Sequence, residues 1–192
     1  MWWARLLNVI SGLLGNGVAA STTSYESIAT VTVGSPQSAI TFSSIPSTYK
    51  HLQIRGIARS TRAASGSYVK IQANSDTGNN YANHGLYGTG SAAGAYAVTT
   101  TDHAGEAYIT ASSDLASTFG ISVWDILDYT NTSKYKTVRA LTGADVNGTN
   151  GQVRFASGVW LSTSAITTVT LTDGNGANFD QYSTFALYGI KG

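Results

Sequence analysis

From about residue 25 onward, apolar and polar residues alternate. "SIATVTV" runs from Ile28 to Val31 and Val33, with "SAITF" following across Gly34-Ser35-Pro36. "HLQIRGIARS" sets Leu52, Ile54 and Ala58 against Gln53, Arg55 and Arg59, and "SYVKIQAN" sets Val69, Ile71 and Ala73 against Tyr68, Lys70 and Gln72. A period of two places successive side chains on opposite faces of an extended chain, so these stretches are half-buried strands. "FGISVWDILDY" and "YKTVRALTG" flank Thr130-Asn131-Thr132-Ser133-Lys134 as a hairpin, and "QVRFASGVWLS", "ITTVTLT" and "TFALYGI" are set apart by "VNGTNG" and "DGNGANFD". Between Asn74 and Gly105 the Gly, Asn and Tyr content is high and the period weak, which reads as long loops around one or two irregular strands. The total is nine or ten strands.

Composition agrees with this reading. Charged residues are 11% of the 192, against about 25% in ordinary soluble domains, and Ser, Thr, Asn and Gly suit strands and turns. The expected fold is all-β, a jelly-roll-like two-sheet β-sandwich with a short N-terminal amphipathic helix, the strand count being that of a two-sheet architecture. A net charge of +1 gives no field to draw nucleic acid or an anionic membrane, and neither is expected as a partner. Without cysteine there is no disulfide, thiolate metal site or cysteine nucleophile.

The opening "MWWARLLNVISGLLGNG" follows another period. Trp3, Leu6, Leu7, Ile10, Leu13 and Leu14 recur at spacings of three and four, with Arg5, Asn8 and Ser11 elsewhere, which is one stripe of a helix over residues 1–14. Residues 1–20 are read as anchor helix and hinge, with Trp2 beside the stripe, and 21–192 as one sandwich domain. The stretch also mimics a secretion signal ending at Val18-Ala19-Ala20, against which stand the Trp pair ahead of Arg5 and the interruptions at Asn8 and Ser11. Those polar residues break the roughly 20-residue apolar run that a membrane span needs.

No catalytic motif emerges. His51, His84 and His103 have neither HxH nor HxxxH spacing, and Asp125, Asp128, Glu106 and Asp114 stand apart, although two carboxylates meeting across a sandwich would make a glycosidase pair. The oxygen-rich turns at Asp145 and Asp173 lack the twelve-residue calcium-loop register, and Asx turns describe them better. GxSxG, Walker and dinucleotide fingerprints are missing, so no enzyme activity and no cofactor is expected. Among eleven tyrosines, Tyr81, Tyr87 and Tyr96, with His84, fall in the Gly/Asn-rich region, where they would contact a sugar ring, contact another subunit, or cover the ends of the core.

"ITFSSIPSTYKHLQIRGIARSTRA", "NYANHGLYG", "VWDILDYTNTSKYKTVRALTG", "SGVWLSTSAITTVTLT" and "YSTFALYGIKG" together resemble a family of small virion proteins of tailed bacteriophages, over roughly residues 25–192. The resemblance implies a jelly roll, a homotrimer and a place on the particle, and it brings no catalytic residues. Three functions follow as expectations: a decoration (cement) protein or short spike contacting other virion proteins, a tail-fibre domain recognising host glycan, and, last, a glycan-cleaving enzyme. Replacing Leu7 and Ile10 with Asp is expected to leave the sandwich folded and to remove the chain from particles, read from the protein composition of purified particles. Normal incorporation would refute the anchor.

Overall fold

The computed structural model describes residues 24–148 and 150–192. The helix expected over residues 1–14, with Trp2, Trp3, Leu6, Leu7, Ile10, Leu13 and Leu14, lies outside the described residues. Those described fold into twelve strands and no helix: β1 (Tyr25–Thr32), β2 (Ala39–Phe42), β3 (His51–Ala58), β4 (Ser67–Ala73), β5 (Tyr81–Gly88), β6 (Ala93–Thr101), β7 (Ala104–Ile109), β8 (Gly120–Ile126), β9 (Lys136–Ala144), β10 (Gln152–Trp160), β11 (Val169–Asp173) and β12 (Thr184–Ile190). Two antiparallel sheets result, one of eight strands in the order β1-β12-β3-β8-β9-β10-β5-β6 and one of four in the order β2-β11-β4-β7.

The alternating positions supply the core. Leu52, Ile54, Trp124, Ile126, Val138, Ala140, Phe185 and Leu187 of the large sheet meet Ile40, Phe42, Val69, Ile71, Ile109, Val169 and Leu171 of the small one, all buried. Gly56 makes room there, because a Cβ would stand about 3 Å from the rings of both Phe185 and Trp124. The hairpin expected around residues 130–134 is β8 against β9. At the first position of β9 the fully buried Lys136 donates from Nζ to the carbonyls of Asn131, Lys134 and Thr163.

The loop reading of residues 74–105 is corrected. β5 and β6 form an antiparallel hairpin with a bulge between Tyr81 and Asn83, so the one or two irregular strands expected are two long ones, and β7 begins at Ala104, which brings the strand count to twelve. The alternation is present in β5 with unusual polarity: Tyr81, Asn83, Gly85 and Tyr87 face inward while Ala82, His84, Leu86 and Gly88 face outward. A strand that buries Asn and Gly while exposing Leu gives no amphipathic signal of the ordinary kind.

One contact sets how β7 meets the large sheet. Asn83 of β5, fully buried, donates to the carbonyl of His103 (2.9 Å) and accepts from the N–H of Gly105 (2.8 Å), while the Trp124 indole donates to the Gly105 carbonyl (2.7 Å). Gly105 has φ +65, and Gly158 of β10 lies against it so closely that a Cβ would fall 2.6 Å from the Gly105 nitrogen. Replacing Asn83 with Ala strands a buried N–H and a buried carbonyl, and is expected to cost about 3 kcal/mol in chemical denaturation. A loss below about 1 kcal/mol would show that water takes over both groups.

Candidate interaction surface

The two outer faces of the sandwich differ in chemistry. On the small sheet the outward residues of β2, β11 and β4 include Ala39, Thr41, Thr170, Thr172, Tyr68, Lys70 and Gln72, with a Thr41–Thr170 hydroxyl contact of 3.3 Å and a Lys70–Asp102 ion pair of 2.7 Å. On the large sheet the register aligns apolar side chains across neighbouring strands. Ile57 pairs with Ile121, Ile121 with Gly143, Gly143 with Val153 and Val153 with Gly88, which makes one row. Arg55, Val123, Leu141, Phe155 and Leu86 make the next row. Ile121, Leu141, Leu86 and Val153 are 60 to 63% exposed, far beyond an ordinary strand leucine or valine.

A third row is polar. Gln53, Asp125, Arg139, Ser157 and His84 run along the apolar field, with Gln53 donating to Asp125 (2.8 Å) and Arg139 paired with the same carboxylate. Thr32 and Thr184, in hydroxyl contact at 3.2 Å, bound the β1–β12 side. An apolar field with a polar rim is the layout of a protein contact site.

The field has relief. Two shallow grooves of about 600 and 710 Å³ run along it, the first between Ile57, Ile121, Leu141 and Val153, the second past Gly88 and Gly143. A Cβ added at Gly143 or Gly88 would meet Val153 at an ordinary 3.7 Å, so these glycines leave open troughs on either side of a Val153 ridge.

The four sequence-selected residues of the β5–β6 hairpin do not share one surface. Tyr81 is buried, stacked on Trp160 at 6.3 Å and donating to the Asp76 carbonyl. His84 is exposed in the polar row on the outer face. Tyr87 and Tyr96 are on the inward side of the hairpin, each ring lying across a glycine of the other strand, Tyr87 on Gly94 and Tyr96 on Gly85. Both rings flank the Arg154 guanidinium, at 5.9 and 5.3 Å.

Arg154 ends a chain of polar contacts: Lys70 to Asp102 (2.7 Å), Asp102 to His103 (2.8 Å), His103 to Glu106 (3.1 Å), and Glu106 to Arg154 (2.8 Å). Burial pushes the Glu106 carboxyl up, but the hydrogen bond and charge of His103 and the charge of Arg154 outweigh it and hold the group below its ordinary value. The chain fastens β10 and the hairpin beside it to β7 and β4.

The remaining carboxylates are dispersed. Asp114 accepts from the N–H groups of Gly66 and Ala111, Asp128 pairs with Lys50 and Lys134, and Asp145 and Asp173 accept from the N–H two residues on, as Asx turns do. The three histidines are not brought together, and no group of three metal-ligating side chains occurs among the described residues.

The outer-face residues were not singled out by sequence, although a signal exists. "ISVW" in β8 is apolar at both parities, as in strands covered on both faces.

No family model matches this chain, and no curated protein does. Among solved structures it is similar to the exoplasmic/lumenal domain of VIP36 in a Ca2+/Man3GlcNAc-bound form, at 10% identity over 89% of this chain and 81% of that one, with a TM-score of 0.17, too slight a likeness to carry an argument.

Burial pushes the Tyr81 and Tyr96 hydroxyls up to about 12. Their raised values favour the neutral folded form, so the stability they contribute is whole below pH 10 and is lost as pH rises toward 12. In an alkaline titration followed by phenolate absorbance, Tyr96→Phe is expected to remove one late-ionising group. Loss of an early one would place Tyr96 on an open surface.

Proposed function

We propose that this chain is a structural component of a tailed-phage particle, a decoration protein or short spike, that works as a homotrimer by contact with its neighbours. The observation that carries the reading is the apolar outer face of the eight-stranded sheet, which a chain working alone in water has no reason to keep. The resemblance of residues 25–192 to small virion proteins supports it independently.

The strand order supports the finer fold as well. With the hairpins β5–β6 and β9–β10 set aside, the other strands fall into β1-β12-β3-β8 and β2-β11-β4-β7, and the chain changes sheet at nearly every step. That is the arrangement of two Greek keys in a jelly roll, with the two hairpins widening one sheet.

A tail-fibre domain that binds host glycan has less support, because Tyr87 and Tyr96 lie down on glycine and hold Arg154, while Tyr81 is buried. A glycan-cleaving enzyme stands behind that, since Glu106, Asp114, Asp125 and Asp128 are each taken up by separate partners.

The test is assembly. Full-length chain carrying Leu141→Arg and Phe155→Arg, two exposed positions on the outer face, is expected to fold as judged by circular dichroism and to be absent from purified particles. Normal incorporation of the double variant would refute the contact reading. Light scattering of the wild-type chain is expected to give three times the 20.0 kDa subunit mass.

A further inference from the structure

We infer that the outer face of the large sheet is covered by the next copy of this chain in the homotrimer, with the Val153 ridge of one copy seated in a glycine trough of its neighbour. The inference rests on the contact reading above and names the occupant of that surface.

Three observations favour a second copy. The first is relief: one row holds ridges at Ile57, Ile121 and Val153 and troughs at Gly143 and Gly88, so knob and hole occur on one surface a single strand spacing apart. A surface that carries both parts of a joint can meet the next copy head to tail, and such a contact closes into a ring when the rotation between copies allows it. The second is charge. The central field has only Arg55, whose guanidinium is over the rings of Tyr25 and Tyr188 at 5.8 and 5.2 Å, and the polar row holds Asp125 beside Arg139, so like faces do not meet as like charges.

The third is size. From β3 to β5 the rows cross five strands, about 19 Å, and three outward rows occupy about 14 Å along them. That outline is about 270 Å², about a third of the roughly 800 Å² each partner gives to a standard interface, which suits the apolar centre of a contact whose rim lies on the surrounding sheet.

Gly143 supplies the decisive variant. Its φ is not in the left-handed region, its Cβ would meet Val153 at 3.7 Å, and it lies within β9, one residue from the strand's end, where a β-branched residue is accepted. Gly143→Val therefore fills the trough without disturbing the fold. Sedimentation velocity on the full chain at tens of micromolar is expected to show a multiple of the subunit mass for wild type and at least tenfold weaker association for the variant, with circular dichroism and melting temperature unchanged. Gly88→Val, whose Cβ also meets Val153 at 3.7 Å, gives the same reading should the first variant fail to fold. Association unchanged or tightened in the folded variant overturns the inference, and so does a monomeric wild type. If wild type is monomeric while Leu141→Arg/Phe155→Arg chains stay out of particles, the contact reading survives and the occupant is another virion protein.

Discussion

The architecture turns on a point where backbone meets backbone. At Gly158 the large sheet comes so near the start of β7 that no side chain fits between, and the Asn83 amide and Trp124 indole take up the peptide groups of His103 and Gly105 there. Buried peptide groups need partners, and each of these finds one on a strand of the opposite sheet. The contact fixes β7 as the last strand of the small sheet beneath β9 and β10. The large sheet therefore extends beyond the small one by β5 and β6, and the broad outer field depends on that extension.

Tyr81 at one end of β5 is part of the common core, but toward the other end the packing turns to charge. Arg154 and Glu106 stand where a sandwich would place leucines, joined through His103 and Asp102 to Lys70 on the small sheet. Partly buried pairs of this kind gain much of their value by positioning one element against another, because the cost of removing charge from water offsets the attraction. Here they hold the β5–β6 hairpin level with the rest of the sheet, which keeps Leu86 in line with Phe155 and Leu141.

Most of the fold was legible in the sequence where strands had one wet and one dry face. β1 to β4 and β8 to β12 lie where alternation put them, since each packs one face on the common core. β5 and β6 showed only as one or two irregular strands and β7 not at all, because the rule linking apolar with inside fails there: Asn83 and Gly85 are buried, Leu86 is exposed, and β7 opens on small residues about one glutamate. The outer face was hidden for a related reason, since Ile57, Leu141 and Phe155 lie far apart in sequence and become neighbours only through strand order. Tyr87 and Tyr96 were recognised as special residues, but their contact with Arg154 depends on cross-strand register, which composition does not encode.

The β5–β6 hairpin holds two exchanges of bulk, Tyr87 over Gly94 and Tyr96 over Gly85, each ring filling the space a side chain on the facing strand would need. Neither partner of a pair is free to vary by itself. A methyl at Gly85 would lie 2.3 Å from the Tyr96 ring and evict it, whereas a smaller residue at 96 would bare the backbone of β5 at Gly85. Across related chains, then, drift at these four positions should come in matched steps, glycine giving way only where the opposing tyrosine has already shrunk.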